Sequence, residues 1–208
     1  MKLLCYGDSN TYGYDPRLSN DDRLPKVERW TGILDLLPEY DVVNQGQNGR
    51  EIPTMPYEYD FFRKILQYHQ DCKILTIMLG TNDLYHIFVK EAGDAELEAD
   101  ELAKRIAARM ERLFETVTEL EHFRIGSRKT ILMVPVPVHT DYCYADMVSM
   151  LASERLKYYY RDIAVRYGLE FFDPAESHIP LAFDGVHISP EGHMRFAKAL
   201  KAFLEELE

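Results

Sequence analysis

The sequence predicts an α/β protein: a three-layer α/β/α domain built around a flavodoxin-like, five-stranded parallel sheet. Two observations support this prediction. Short apolar runs alternate five times with longer segments of helical periodicity, which is typical of βαβ units. The apolar runs are mostly continuous rather than alternating, as expected for parallel strands that are buried on both faces. The predicted strands are residues 2–6, 41–44, 73–79, 130–134 and 169–172.

The segments between these strands have the periodicity of helices. Ser189 and Pro190 supply an N-cap and a first turn for the last helix. One long helix carries an apolar stripe, which core packing explains. Three irregular stretches follow the ends of strands, where this class of fold builds its sites. The predicted helices are 27–37, 56–70, 97–122, 151–167 and 190–207. The stripe consists of Leu102, Ile106, Met110, Leu113, Phe114, Val117 and Leu120, and the irregular stretches are 10–25, 84–95 and 135–148.

Length and charge limit the class of function. The 208 residues fit a single domain, 1–208, and no repeat or linker divides it. The net charge of −11 argues against nucleic acid as a partner, because phosphate binding needs clustered Lys and Arg, and it repels anionic membranes. No apolar run approaches the ~20 residues of a membrane helix. Met1 leads directly into the first strand and leaves no room for a signal peptide, so we expect a cytoplasmic enzyme.

Cysteine and histidine spacing predicts neither disulfides nor a metal site. Cys5, Cys72 and Cys143 are an odd number without paired spacing. Cys5 and Cys72 lie in or beside predicted strands, so we expect reduced, partly buried thiols. No His-Glu-x-x-His motif or cysteine cluster is present, and no catalytic metal is therefore predicted.

Three candidate site residues follow the first three predicted strands. Ser9 follows strand 1, Gly46 follows strand 2 and Asn82 follows strand 3. In a sheet of order 2-1-3-4-5, strand 1 lies between strands 2 and 3. The three residues then emerge at one edge of the sheet, with Ser9 flanked by the other two.

These residue types, with an Asp and a His near the end of the chain, fit acyl-transfer chemistry. A serine hydroxyl needs a base, for which His187 is the candidate, and Asp184 would hold its imidazole tautomer. Attack by Ser9 would place negative charge on a carbonyl oxygen, so donors must already point at that oxygen. The Ser9 N–H, the Gly46 N–H and the Asn82 amide are suitable. The strand order does not itself bring His187 to Ser9.

Each residue also has a structural interpretation when it is taken alone. Ser9 could cap a helix, Gly46 could serve a positive φ, and Asn82 could bridge a turn. Asp184 and His187 could lie in a solvated loop. The occurrence of all of them at predicted strand ends favours the functional interpretation.

Four segments resemble the four sequence blocks of the SGNH (GDSL) hydrolase family. The residue types that give this family its name fall on Ser9, Gly46, Asn82 and His187, in order and at the usual spacing. The resemblance implies the SGNH fold and a serine nucleophile at Ser9. The segments are Gly7-Asp8-Ser9, Asn44-Gln45-Gly46, Gly80-Thr81-Asn82-Asp83 and Asp184-Gly185-Val186-His187.

Within this superfamily, the chain resembles the bacterial arylesterase/acyltransferase branch. The similarity implies hydrolysis of small, short-acyl esters without a metal or an organic cofactor; some relatives transfer acyl groups to alcohols, and some are homo-oligomers. There are two departures. Asn10 stands where the family name expects Leu, and the block at 44–52 lacks the Glu-Glu-Gly-Leu and Arg-Thr-Thr pattern of that branch. The similar segments are Gly7–Gly13, Glu28–Gly32 and Ile77–Asp83.

Two other functions remain open at this point. A carbohydrate O-deacetylase would need a groove with polar and aromatic walls, which the 10–25 and 135–148 stretches could supply. A non-catalytic α/β binding module would leave Ser9 as a helix cap. Motifs of other classes are missing from the sequence, since Thr11 occupies the last position of an α/β-hydrolase Gly-x-Ser-x-Gly elbow and no phosphate loop is present.

Overall fold

The computed structural model of the protein describes residues 1–18, 23–118, 128–140 and 143–207. Its strands are β1 (Lys2–Gly7), β2 (Asp41–Gly46), β3 (Ile74–Met78), β4 (Lys129–Met133) and β5 (Glu170–Phe172). They form one sheet in the order β2-β1-β3-β4-β5, and every neighbouring pair is parallel. The predicted flavodoxin-like α/β fold is confirmed.

Helices cover both faces of this sheet. They are α1 (Ser9–Tyr12), α2 (Trp30–Asp35), α3 (Pro56–Tyr68), α4 (Asp83–His86), α5 (Ala95–Thr118), α6 (Tyr144–Tyr167) and α7 (Pro190–Glu206). Short 3-10 turns lie at Lys26–Glu28 and Ala175–Ser177. The Ser189 hydroxyl accepts from the Gly192 N–H over 3.1 Å and caps α7, as predicted.

Two predicted helix boundaries were wrong. The helix predicted at 27–37 is divided, because Arg29 is extended (φ −105°, ψ 140°) and separates a 3-10 turn from α2. Helix α6 begins at Tyr144 rather than at 151. Tertiary packing holds its first turns, since Val148 is buried in the core and the Ser149 hydroxyl donates to the Leu84 carbonyl.

The short helices α1 and α4 fall largely in stretches that the sequence predicts to be irregular. A single helical turn contains no repeat from which periodicity could be read. Residues 119–122 of the helix predicted at 97–122 lie outside the described residues.

The residues of each strand alternate between two cores. In β1, Leu4 and Tyr6 pack with side chains of α3, α5 and α6, whereas Leu3 and Cys5 pack with those of α2 and α7. Burial on both faces explains the continuous apolar runs of the strands. The predicted stripe on α5 is core packing for its buried members, Leu102, Ile106, Met110, Leu113 and Phe114. The side chain of Val117 and the whole of Leu120 lie outside the described part of the chain.

The cysteines occur as free thiols, as the sequence predicts. Cys5 and Cys72 are buried, and Cys143 is exposed. Burial raises the pKa of the Cys5 thiol to about 12, so this thiol is protonated at neutral pH. Among the helices of the described residues, none combines the length and the apolar character that a bilayer crossing requires.

The contact between α2 and α7 is built around Trp30, the only tryptophan. Its buried ring lies 5.2 Å from the Phe196 ring, centroid to centroid, and anchors the packing of the two helices. The Trp30 backbone N–H donates to Nδ1 of His193 over 3.3 Å. Because Nδ1 accepts, the proton of the neutral imidazole is on Nε2. Burial lowers the pKa of His193 to about 3, since an imidazolium is poorly solvated there.

We predict that His193 makes the stability of the fold depend on pH. A histidine in the unfolded chain titrates near ~6.5, so at pH values between there and about 3 the unfolded state binds a proton that the folded state rejects. The contribution of neutral His193 to the free energy of unfolding is therefore complete above pH ~6.5. Below that value it is lost by about 1.4 kcal/mol per pH unit.

Denaturant unfolding of the wild type and of His193→Asn measures this effect, because Asn keeps an acceptor for the Trp30 N–H and does not titrate. The free energy of unfolding of the wild type, minus that of the variant, should fall as the pH is lowered from about 6.5 to about 4. A difference that is independent of pH would contradict the prediction.

Candidate active site

The ends of three strands form the floor of the site. Gly7, at the end of β1, pairs with Gly46 of β2 on one side and with Met78 of β3 on the other. The chain therefore leaves all three strands at one edge of the sheet, as the strand order predicts. Ser9 begins α1 two residues later, and Asn82 follows β3.

Asp8 fixes the start of α1 and hence the position of Ser9. It is the N-cap of the helix, and its Oδ1 accepts from the Asn10 N–H over 2.9 Å. Burial raises the pKa of the Asp8 carboxyl. Asp8, and not Ser9, is the cap of this helix. The structural interpretation of Ser9 as a helix cap is therefore wrong.

Ser9, His187 and Asp184 form one hydrogen-bonded series. The Ser9 Oγ lies 3.0 Å from His187 Nε2, and His187 Nδ1 lies 2.6 Å from Asp184 Oδ2. The structure thus brings together residues that are 178 positions apart. Burial works against ionisation of Asp184, but hydrogen bonds from the His187 ring and from backbone N–H groups outweigh it and lower the pKa of this carboxyl.

The loop that carries His187 is anchored from several directions. Asp184 Oδ1 accepts from the N–H groups of Val186 and His187 over 3.1 and 3.0 Å. Gly185 has φ +68°, and a Cβ there would lie 2.0 Å from the His139 carbonyl oxygen, so glycine is required. The His139 N–H donates to the Gly185 carbonyl over 2.7 Å.

Asn82 follows β3, the neighbour of β1, and its side-chain amide makes one hydrogen bond within the protein. Its Nδ2 donates to the Arg50 carbonyl over 3.0 Å, and an amide carries a second N–H. The next residue, Asp83, is buried and accepts from Arg109 (2.7 Å) and from the Ile52 N–H (3.1 Å). Burial raises the pKa of Asp83 to about 6, although both partners act in the opposite direction. These contacts hold the segment after β3 against the segment after β2.

Gly46 is required because of space rather than because of its φ, which is not positive. A Cβ on Gly46 would lie 2.1 Å from the Tyr12 backbone nitrogen. The Gly46 N–H donates to Asn44 Oδ1 over 2.9 Å, and Asn44 Nδ2 donates to the Thr11 carbonyl over 2.7 Å. The end of β2 and the backbone of α1 are therefore in direct contact.

Several residues that shape the site were not singled out for it from the sequence. Asn44 joins β2 to α1, and the Tyr14 ring lies 4.6 Å from the His187 ring, centroid to centroid. Asn10 bonds to the loop of His187. The only sequence signal for them was their position inside or beside the four blocks. His139 is exposed and lines a cavity of about 610 Å³ behind the loop.

No group of three His, Cys, Asp or Glu side chains within residues 1–18, 23–118, 128–140 and 143–207 is arranged to hold a metal ion. The hydrogen-bonded series described above can transfer a proton from a hydroxyl to an imidazole without one. The independence from metals and cofactors stays a prediction.

We predict that Gly46→Ala displaces α1 and with it Ser9. The added Cβ meets backbone atoms that cannot rotate away, so overpacking should cost roughly 1–3 kcal/mol of stability, and the reactivity of Ser9 should fall together with it. Gly49→Asn is the matched control, because open space surrounds Gly49 and Asn tolerates its φ of +71°. Thermal unfolding and serine labelling by a fluorophosphonate report the two effects. Wild-type behaviour of Gly46→Ala in both would refute the steric account.

Comparison with known proteins places this geometry in a family. The model of the GDSL-like lipase/acylhydrolase family matches residues 5–195. A search of curated protein sequences found no significant match. One solved structure is 28% identical, covers 99% of this chain and 97% of its own, and has a TM-score of 0.79.

Three further solved structures share the fold at lower identity. Est24, a carbohydrate acetylesterase from Sinorhizobium meliloti, is 23% identical with a TM-score of 0.77 and covers 100% of this chain and 99% of its own. The native aryl esterase of M. smegmatis is 22% identical, with a TM-score of 0.77 and the same coverage of 100% and 99%. A member of the lipolytic G-D-S-L family from Veillonella parvula DSM 2008 is 20% identical, with a TM-score of 0.63 and a coverage of 98% of each chain.

The family match includes all four blocks, with Ser9, Gly46, Asn82 and His187. It spans most of the chain, and the parallel sheet agrees with it. The chain therefore belongs to the GDSL-like lipase/acylhydrolase family, the SGNH serine ester hydrolases.

Proposed function

We propose that the protein hydrolyses small, short-acyl esters, acetyl esters among them, through an acyl-enzyme on Ser9. The observation that supports this most is the series from Ser9 Oγ through His187 to Asp184, with distances of 3.0 and 2.6 Å. A nucleophile, a base and an orienting carboxylate within hydrogen-bond reach are what acyl transfer requires. A non-catalytic binding module would have no use for this series.

The reaction begins when Ser9 Oγ attacks the ester carbonyl carbon and His187 Nε2 takes the hydroxyl proton. The C–O bond to the leaving group then breaks, and the imidazolium gives its proton to that oxygen, so that an alcohol departs. Water attacks the acyl-enzyme with His187 again as base, which releases the carboxylic acid and restores Ser9. An alcohol in place of water gives acyl transfer instead of hydrolysis.

Asp184 acts on this reaction through His187. Its lowered pKa keeps the carboxylate ionised at neutral pH, where it orients Nδ1–H and stabilises the imidazolium that forms. Replacement of Asp184 by Asn should reduce turnover less than loss of Ser9 or His187, because a backbone carbonyl could take over the orientation of Nδ1–H.

The oxyanion is stabilised by the Ser9 N–H, the Asn82 amide and the Gly46 N–H. The Ser9 N–H is one of the first N–H groups of a helix, which have no partner within it. Asn82 contributes the N–H that is not bonded to Arg50. Gly46 donates to Asn44 Oδ1, so its N–H would be shared between Asn44 and the oxyanion in a three-centre bond.

Small esters are favoured by the resemblance to the arylesterase branch, and the native aryl esterase of M. smegmatis shares the fold. Acyl transfer to alcohols, assembly into a homo-oligomer and a cytoplasmic location stay predictions from the sequence. The organisation of residues 1–208 as a single domain also stays a prediction.

A carbohydrate O-deacetylase is the second candidate. A cavity of about 550 Å³ beside Arg50 combines the aromatic rings of Tyr6, Tyr57 and Phe61 with the polar groups of Gln47, Glu58 and Lys64. Such mixed walls suit a sugar, although Ser9 and His187 do not line this cavity. Est24, which shares the fold, is a carbohydrate acetylesterase. A kcat/KM for an acetylated xylose above that for p-nitrophenyl acetate would favour this candidate over a simple aryl or alkyl esterase.

Ser9→Ala and His187→Ala should each lower the turnover of p-nitrophenyl acetate by about 10⁴-fold or more, because a triad acts as a unit. Hydrolysis of the acetate, butyrate and octanoate esters by purified wild type and variants checks this, with thermal unfolding as the control for folding. Wild-type turnover should fall as the acyl chain lengthens. Equal rates for wild type and Ser9→Ala would show that Ser9 is not the nucleophile and would favour a non-catalytic binding module.

Asn82→Ala should lower kcat by about 10²–10³, because one oxyanion donor is lost. The loss of stability should be small, since only the hydrogen bond to the Arg50 carbonyl disappears from the folded state. Steady-state kinetics and thermal unfolding separate the two effects. A variant that unfolds easily but keeps the specific activity of the wild type would show that Asn82 is structural.

A further inference from the structure

Asn10, the residue after Ser9, uses both ends of its side-chain amide on the loop of His187. Its Nδ2 donates to the Val186 carbonyl over 3.3 Å, and its Oδ1 accepts from the Ile188 N–H over 2.8 Å. These two backbone groups flank His187 on either side. The amide therefore brackets the histidine, and Asn10 is itself buried, with 2% of its surface exposed.

The main chain of Asn10 is held as firmly as its side chain. Its N–H donates to Asp8 Oδ1 over 2.9 Å, and its carbonyl accepts from Trp30 Nε1 over 3.0 Å. Trp30 in turn donates from its backbone to His193 of α7, the helix that follows the loop. The residue thus joins α1, α2 and the segment before α7 at one point.

We propose that Asn10 is a positioning residue that sets the distance between Ser9 Oγ and His187 Nε2. This inference rests on the proposed function. Asp184 cannot set that distance, because it lies in the same loop as His187 and moves with it. The anchor from the His139 N–H to the Gly185 carbonyl (2.7 Å) comes from the segment after β4, and the bond from the Ala182 N–H to the His187 carbonyl (2.7 Å) lies within the loop itself. Asn10 ties the loop directly to the helix of the nucleophile.

The departure of this chain from the GDSL pattern agrees with this role. A leucine after the nucleophile has no group that donates or accepts, so it could make neither bond to the loop. A buried amide whose donor and acceptor are both satisfied fixes relative orientation, because leaving either partner unpaired is unfavourable. At position 10 the sequence departs from the Gly-Asp-Ser-Leu pattern, and the same residue joins α1 to the loop of His187.

Asn10→Leu tests the proposal, and Thr11→Val is the matched control. Thr11 is the next residue of α1, is also buried, and its hydroxyl has no hydrogen-bond partner among the described residues. Prolonged reaction with a fluorophosphonate counts the competent serines in each preparation, and kcat for p-nitrophenyl acetate is then expressed per competent serine. This correction removes the effect of any unfolded fraction.

In Asn10→Leu, we expect kcat per competent serine to fall roughly 10–100-fold, since a misplacement of about 1 Å is enough for such a loss. KM should change little, and the pH profile of kcat/KM should keep its shape, because the His187–Asp184 pair is intact. Thr11→Val should match the wild type in all three. Asn10→Asp keeps an acceptor for the Ile188 N–H but places an oxygen in place of the donor against the Val186 carbonyl, so its kcat per competent serine should also fall below that of the wild type.

A kcat per competent serine in Asn10→Leu within twofold of the wild type would overturn the positioning role, even if fewer molecules were competent. If Asn10→Leu does not fold, Asn10→Asp decides in the same way. Failure of the wild type itself to hydrolyse esters or to react with the probe would instead refute the proposed function.

Discussion

The close contact between the end of β2 and the backbone of α1 sets the geometry on which the site depends. Gly46 leaves no room for a Cβ against Tyr12, and Asn44 closes the contact with a hydrogen bond to the Thr11 carbonyl. With α1 held in this place, Ser9 lies at the edge of the sheet where β3 also ends. Asn82 follows β3, the strand that pairs with β1 on the side away from β2.

Two aspartates beside Ser9 are used in different ways because their surroundings differ. Asp8 is buried, which raises the pKa of its carboxyl, and it serves as the cap that starts α1. Asp184 is partly exposed and accepts from the His187 ring and from two backbone N–H groups, which lowers its pKa. The carboxyl in contact with the imidazole is therefore the one whose pKa is lowered, as an orienting role requires.

The sequence was sufficient to predict the sheet and the edge at which Ser9, Gly46 and Asn82 lie, because continuous apolar runs reveal buried parallel strands and strand order decides which ends meet. The approach of His187 to Ser9 could not be obtained in that way. The loop that carries His187 is joined to Asn10 and to His139 by hydrogen bonds between residues far apart in the chain, and such pairings have no local signature. The same holds for the space requirement of Gly46 and for the early start of α6, which tertiary packing decides.

The most direct test of the central claim is to locate the modified residue after reaction with a fluorophosphonate. Trypsin should release residues 3–17 as one peptide, in which Ser9 is the only serine, so the mass of that peptide and its fragments identifies the site. We expect one phosphonyl group on Ser9, and no such group on the same peptide after prior denaturation of the protein. A label on another residue, or equal labelling of native and denatured protein, would contradict the claim that the fold activates Ser9 through His187.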